Sequence, residues 1–225
     1  MTEEPAERES CPTCHTGPAS IADEDLSDPM GVAIVLANLQ KRGTAQDIQD
    51  LLARDPASHA DLSWPGNVGS LLMGFLKAGA HEQTAVLLAR DPAGHADISH
   101  PGATAFLLNS LREAGAGQQV AALLARDPAG QCELDDRGMV VTLAWSLHDA
   151  GADDQFTALL SRLSTAGDWS LLDEIGAATG LPVPQQDQPG HRGGQGHARG
   201  EQQADPQAGQ ERSPVGQQRA EHGDR

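Results

Sequence analysis

The sequence predicts an all-α protein, a right-handed α-solenoid of four helical-hairpin repeats with a C-terminal capping helix and disordered tails. Three observations carry this expectation. Ala-Arg-Asp-Pro-Ala stands at 53–57, 89–93 and 125–129, each copy 36 residues after the last. A fixed period of this length marks stacked supersecondary units. Apolar residues recur at helical spacing within each period, and Gly and Pro punctuate every period at the same phase.

The unit starts are Asp25-Leu26-Ser27, Asp61-Leu62-Ser63, Asp97-Ile98-Ser99 and Glu133-Leu134-Asp135, which gives repeats at 25–60, 61–96, 97–132 and 133–168. In the second unit Val68, Leu71, Leu72, Phe75 and Leu76 fall at i, i+3, i+4, i+7 and i+8. That spacing is one face of an α-helix rather than the alternation of a strand. A shorter run follows in each unit, as in Thr84, Leu87 and Leu88, and predicts a second helix. Ser27, Ser63, Ser99 and Asp135 are expected to cap the first helices, with Pro29, Pro65 and Pro101 in the first turn. A proline there loses no helical hydrogen bond. Gly43, Gly79, Gly115 and Gly151 suit the left-handed residue that ends those helices. Asp-Pro at 55–56, 91–92 and 127–128 stops the second helix, because a residue before proline is pushed out of α geometry. The same Asp can cap a short third helix that has Pro at its first position.

Helices of about 9–12 residues are not stable alone in water, so each hairpin needs a neighbour to cover its apolar faces. Four stacked hairpins give a rod on the order of 40 Å, of the tetratricopeptide or HEAT kind. The fourth unit has Leu163-Ser164 where the others have Asp-Pro. Trp169, Leu171, Leu172 and Ile175 then predict one closing helix within 169–180, ended by Gly176 or Gly180.

The strings Leu-Arg-Glu-Ala-Gly-Ala at 111–116 and Gln-Val-Ala-Ala-Leu-Leu-Ala-Arg-Asp-Pro-Ala at 119–129 resemble the 36-residue helical repeats of uncharacterised actinobacterial proteins. The resemblance covers about 25–168. It implies a repeat type and brings no activity and no site residue.

The chain of 225 residues carries a formal net charge of −17. Such a surface argues against nucleic-acid and anionic-membrane binding, which need clustered Lys and Arg. No stretch approaches the roughly 20 apolar residues that span a bilayer. The acidic start, Met-Thr-Glu-Glu-Pro, has no basic or apolar leader pattern, so a cytoplasmic location is expected. From Leu181 onward the chain is mostly Gln, Gly, Pro, Arg, His and acids, and a disordered tail is expected over 181–225. Residues 1–24 are expected to be a flexible acidic segment holding Cys11-Pro-Thr-Cys14-His15. That C-x-x-C-H string is the attachment signature of c-type haem, which needs export. Zinc is the better metal reading: Cys11 and Cys14 form half of a tetrahedral site, with His15 as a third candidate ligand. A zinc-binding or redox-responsive regulator is therefore the alternative to a cofactor-free protein.

His59 and His95 recur in phase and Gln131 takes their place, which points to a structural hydrogen-bonding role. His81-Glu82 is similar to one His-Glu pair of HEAT-like di-iron hydroxylases. Ala45-Gln46, Gly117-Gln118 and Asp153-Asp154 stand at the equivalent positions, so that pattern is not repeated. No nucleophile or phosphate-loop signature appears, and no catalytic residue is assigned. One stripe on the first helices varies between units: Ala33, Ala37 and Gln40; Gly69, Met73 and Leu76; Ala105, Asn109 and Arg112; Val141, Trp145 and His148. Its spacing of i, i+4, i+7 makes it one helical face, expected to line the concave groove. The expected function is a non-enzymatic scaffold for a protein or peptide partner. Met73 and Trp145 would be apolar anchors there, with Asn109, Arg112 and His148 as polar contacts.

Overall fold

Backbone rules decide where each helix begins and ends. A computed structural model describes residues 25–43 and 45–185, which belong to one compact unit; the rest, including a second unit Asp187–Arg225, lies outside the described residues. Twelve helices and no strands are found among the described residues. In chain order they are α1 (Pro29–Arg42), α2 (Ala45–Leu52), α3 (Pro56–His59), α4 (Pro65–Ala78), α5 (His81–Ala89), α6 (Pro92–His95), α7 (Pro101–Glu113), α8 (Gly117–Ala125), α9 (Pro128–Gln131), α10 (Arg137–Asp149), α11 (Asp153–Ala166) and α12 (Trp169–Thr179).

The expected prolines open α1, α4 and α7, but the caps fall one residue later than expected, on Asp28, Trp64, His100 and Asp136. The serines are used elsewhere. Asp61 accepts hydrogen bonds from the amide and hydroxyl of Ser63 at 2.9 and 3.0 Å, so the two residues lock the unit start as a local turn. Asp25 holds Ser27 the same way, and Asp97 accepts from the Ser99 amide at 3.0 Å.

The helix ends follow the sequence closely. Gly79, Gly115 and Gly151 lie at φ 66°, 68° and 68°. In each case the glycine amide and the next amide turn back onto the last turn; Gly79 reaches the Leu76 carbonyl at 3.1 Å and Ala80 the Phe75 carbonyl at 2.9 Å. This is the glycine-dependent helix stop, and it lets the next helix start within two residues. The long first helices run to 13 or 14 residues, beyond the expected length.

Asp55, Asp91 and Asp127 leave right-handed α geometry as the following proline demands. They enter the left-handed region, at φ 55°, 55° and 57°, rather than the extended one. The third helical piece is present in the first three units as α3, α6 and α9. Asp91 and Asp127 cap it through the amides of Gly94 and Gly130, at 3.2 and 3.0 Å. A Cβ at either glycine would collide with that carboxylate. The first unit has Ser58 at this place, and Asp55 makes no such backbone cap; its carboxylate is held low chiefly by the Ser58 side chain. With Leu163-Ser164 in place of Asp-Pro, α11 has no stop signal and continues to Gly167, at φ 76°.

The helices pack in series. α4 packs on α1, α7 on α4, α10 on α7 and α12 on α10, which makes one row of long helices. A second row holds the other helices, where the short ones act as wedges: α3 packs on α5, α6 on α8 and α9 on α11. One apolar core runs from Val32 through Leu71, Phe75, Leu108 and Leu143 to Ile175. Cys132 is buried in register with Ala60 and Ala96, and burial pushes its thiol pKa up.

Polar bonds recur with the repeat. Ala57, Ala93 and Ala129 amides donate to the side-chain oxygens of Gln83, Gln119 and Gln155 at 3.0–3.1 Å, each from the following unit. Arg90 donates to the Ala57 carbonyl at 2.6 Å, and Arg126 to the Ala93 and Ala96 carbonyls at 2.6 and 2.7 Å. Arg162 bonds the Ala129 and Cys132 carbonyls. In the second and third copies of Ala-Arg-Asp-Pro-Ala the arginine is therefore a tie to the preceding unit. Backbone links from Asp61 to Ser27, Asp97 to Ser63 and Glu133 to Ser99, at 2.8–2.9 Å, join successive unit starts.

The C-terminal boundary of the placed chain differs from the expected 181. Leu181 and Val183 pack against the core, Val183 lying over Gly176 of α12, so the chain stays placed through 185. Two apolar side chains among prolines are enough to hold this short stretch. Gly180, at φ 70°, ends α12, not Gly176.

Two outcomes follow. Arg126→Ala removes charge-assisted bonds to two carbonyls, and each such bond contributes about 1.5–3 kcal/mol. The unfolding free energy in urea should drop by about 3 kcal/mol or more, against less than about 0.5 kcal/mol for a surface control. Asp61 and Asp97 are held below their ordinary pKa of 3.8 by the Ser63 and Ser99 amides first and their hydroxyls second. A lowered pKa means stability that is full above 3.8 and lost as pH falls through the folded-state values. Thermal midpoints should thus hold steady above about pH 5 and fall below about pH 4, and Asp61→Asn/Asp97→Asn should flatten that acid limb.

Candidate interaction face

The stripe expected to recognise a partner is rotated relative to the exposed surface. Ala33 and Ala105 are buried, and Gly69 lies under Phe106 of the next helix. These residues are small because the row helices approach closely there; Ala33 also faces Gly74 of α4. Small size at a helix contact was read as free variation. At the stripe's other end Gln40 bonds the Gly74 carbonyl at 3.3 Å, again between helices.

Of the expected contact residues, Asn109, Arg112 and Trp145 come together. With Glu113 and Asp149 they line a hollow of about 390 Å³ between the C-terminal ends of α7 and α10. Trp145 is open to solvent at 47%. Asn109 donates to the Ser146 hydroxyl at 2.9 Å. Arg112 pairs with the Asp149 carboxylate and donates to the Asp149 carbonyl at 2.8 Å, which ties α7 to α10. Both polar side chains therefore join the helices as well as lining the hollow. His148 turns away toward the second row: its ring lies 5.8 Å from Phe156 of α11 and 6.4 Å from Trp145. Met73 stands half-buried on α4, at the repeat position of Asn109 and Trp145.

Sequence reasoning missed the rest of the face. Ile34, Trp64, Phe106 and Met139 are exposed at 53%, 41%, 42% and 43%, and with Trp145 they are the large apolar side chains most open to solvent among the described residues. All lie on α1, α7 and α10 or at the cap of α4. The Trp64 ring meets that of His100 of the next unit, 4.6 Å away and tilted by 53°, and Met139 lies over Gly102 of α7. For two of them the signal was present one residue further round the helix from the stripe, at Ile34 and Phe106.

A larger hollow, about 640 Å³, sits at the unit starts and is lined by His59, Asp61, Ser63, Arg90 and His95. Several of its polar groups are already spent on structure: Arg90 on Ala57, Asp61 on Ser63, and the His95 ring on the Asp91 carbonyl at 2.8 Å. Cys11, Cys14 and His15 lie outside the described residues. Among the described residues no cluster of His, Cys, Asp and Glu could hold a metal ion, and no helix is long and apolar enough to cross a membrane. No family model, no curated protein and no solved structure matches the chain.

Exposure separates the two central side chains of the hollow. Trp145→Ala should change the unfolding free energy by less than about 1 kcal/mol, since an exposed side chain gains little on folding. Arg112→Ala should cost about 1 kcal/mol, the scale of a half-exposed ion pair plus a carbonyl bond. Urea unfolding of both variants checks the order; a larger loss for Trp145 would place it in the core.

Proposed function

We propose that the chain is a non-enzymatic scaffold that binds a protein or peptide partner on the face formed by α1, α4, α7 and α10. In this reading the units 25–60, 61–96, 97–132 and 133–168 stack as a right-handed α-solenoid, and α12 closes its end. The recurrence of the same Gln and Arg ties every 36 residues supports the four-unit reading. The short third helix brings the unit nearer to the three-helix armadillo pattern than to a two-helix tetratricopeptide hairpin.

One observation carries the functional reading. Among the described residues the most exposed large apolar side chains gather on one row of helices, while the chain as a whole has a net charge of −17. Exposed apolar patches of this kind mark interaction sites. Trp145, Phe106 and Met73 are the anchors, and Asn109 borders the hollow where a partner side chain enters. The acidity of the chain favours a protein partner over nucleic acid or an anionic membrane, and the reading places the work in the cytoplasm. The zinc or redox alternative rests on the Cys11, Cys14 and His15 string alone, and metal analysis of purified protein tests it.

Arg112 is unsuitable as a binding probe, because removing it loosens α7 from α10. Phe106→Ser/Trp145→Ala is the better variant. It should lose partner capture from the source cells, by at least about 30-fold for two central anchors, while its thermal midpoint moves by less than about 4 °C. Undiminished capture would move the binding surface elsewhere.

A further inference from the structure

We propose that the hollow between the C-terminal ends of α7 and α10 takes a lysine or arginine side chain from an extended segment of a partner protein, and that an apolar residue three positions away in that segment rests on Phe106. The proposal rests on the reading of this face as an interaction surface and names the chemistry of its occupant.

A comparison of the units shows a charge missing at the hollow. One repeat position at the ends of the row helices reads Lys41, Lys77, Glu113 and Asp149, and all four are exposed. A helix C-terminus carries partial negative charge, which a cation stabilises and a carboxylate opposes. α1 and α4 place their own lysine there. α7 and α10 place a carboxylate there instead, and both carboxylates line the hollow. The basic residues of these two last turns do not make up the difference. Arg112 is spent on the Asp149 carboxylate and carbonyl. His148 turns toward Phe156 of α11. Asp149 is thereby matched, and Glu113 is left over: it makes no ion pair among the described residues. The hollow therefore holds one carboxylate in excess, in a chain of net charge −17. A cation from outside would give α7 and α10 what Lys41 and Lys77 give α1 and α4.

The other wall of the hollow is aromatic, and it points the same way independently. Residues 37, 73, 109 and 145 share one repeat position and read Ala, Met, Asn and Trp. Only the fourth unit puts a ring there, and Trp145 stays open to solvent at 47%. An indole attracts a cation over its face more strongly than any other side-chain ring. Lysine and arginine also bring methylene stems that cover apolar surface while the charged head stays outside. An open indole beside an unmatched carboxylate thus favours a cationic side chain over an apolar or an acidic one.

Phe106 sets the spacing. It precedes Glu113 by two helical turns on α7, so the two share a face and stand about 10 Å apart. Phe106 is open at 42%, and residues 101–111 carry no charge. Three residues of extended chain also span about 10 Å. A segment whose cation enters the hollow therefore lays the side chain three positions away on Phe106. A nucleic acid cannot satisfy this site, because its phosphates meet Glu113 and a net charge of the same sign.

The test is an NMR titration of the nitrogen-15-labelled full chain with acetyl-Leu-Ala-Ala-Arg-Ala-Ala-Leu-amide, which offers leucine three positions to either side of one arginine. The Trp145 indole N–H and the Glu113 amide should shift together and saturate at millimolar peptide. The same peptide with citrulline keeps the shape without the charge, and should bind at least about tenfold more weakly. Glu113→Gln should weaken the arginine peptide by about threefold, and Glu113→Lys, which ends α7 as α4 ends, by more. Trp145→Leu, followed at the amide of residue 113, should weaken it by about tenfold. Glu82→Gln removes an exposed carboxylate of α5 and should change nothing. Circular dichroism confirms that the variants keep their helix. Equal binding of the arginine and citrulline peptides, shifts centred away from Trp145 and Glu113, or no saturation by about 50 mM peptide overturns the proposal. The interaction reading is decided separately. It stands if Phe106→Ser/Trp145→Ala loses the cellular partner, whatever the peptides do, and falls for this face if that variant captures as the wild type does.

Discussion

The architecture depends on one set of side-chain bonds, those by which each unit completes the backbone of the unit before it. A helix that ends at Asp-Pro and restarts at once leaves amides and carbonyls without helical partners. Gln119 takes the Ala93 amide and reaches the Leu88 carbonyl at 3.3 Å, while Arg126 takes the Ala93 and Ala96 carbonyls. Gln83 and Arg90 do the same one unit earlier, and Gln155 and Arg162 one unit later. Buried backbone groups left unpaired are costly, so the Pro turn of one unit is tolerable only when the next unit is in place. Apolar burial drives the helices together; these bonds set which surface meets which, and at what register.

The same bonds explain why a strongly acidic chain spends several of its few cations internally. Arg90, Arg126 and Arg162 act on carbonyls, Arg112 and Arg137 on Asp149 and Asp168. Arg137 keeps the Asp168 carboxyl below its ordinary range, and Asp168 in turn caps α12 through the Leu171 amide at 3.2 Å. That links the start of α10 to the closing helix. The bodies of α1, α4, α7 and α10, by contrast, carry no Asp, Glu, Lys or Arg over 30–40, 65–76, 101–111 and 138–147. The face of these four helices is thus set apart from the rest of the surface by composition as well as by its exposed apolar side chains.

Much of this was legible in the sequence, and the reasons are physical. Glycine at 79, 115 and 151 and proline at 65, 92, 101 and 128 have few backbone options, so helix ends could be read from them. The periodic leucines located the core for the same reason: only one face of each helix can be buried. Caps were misplaced by one residue because Ser63 and Ser99 had two uses open to them, and the turn with Asp61 or Asp97 won. The recognition stripe was misjudged by a fraction of a turn. Ala33, Gly69 and Ala105 looked variable, yet their smallness was the constraint. The Gln and Arg ties stayed hidden because a polar residue on a helix reads as surface until its neighbour's unsatisfied backbone is seen. Leu181 and Val183 were lost in a stretch whose average composition is that of a tail.

Amide hydrogen exchange on the intact chain measures the central bond set most directly. The amides of Ala57, Ala93 and Ala129 donate to glutamine side chains of the following unit rather than to a helix of their own. They should exchange as slowly as the core amides of α4 and α7, because only separation of units exposes them. A Gln119→Ala chain should release Ala93 alone and leave the other two protected. If all three exchange at the rate of open turns in the wild type, the units do not complete one another, and the account of this fold fails.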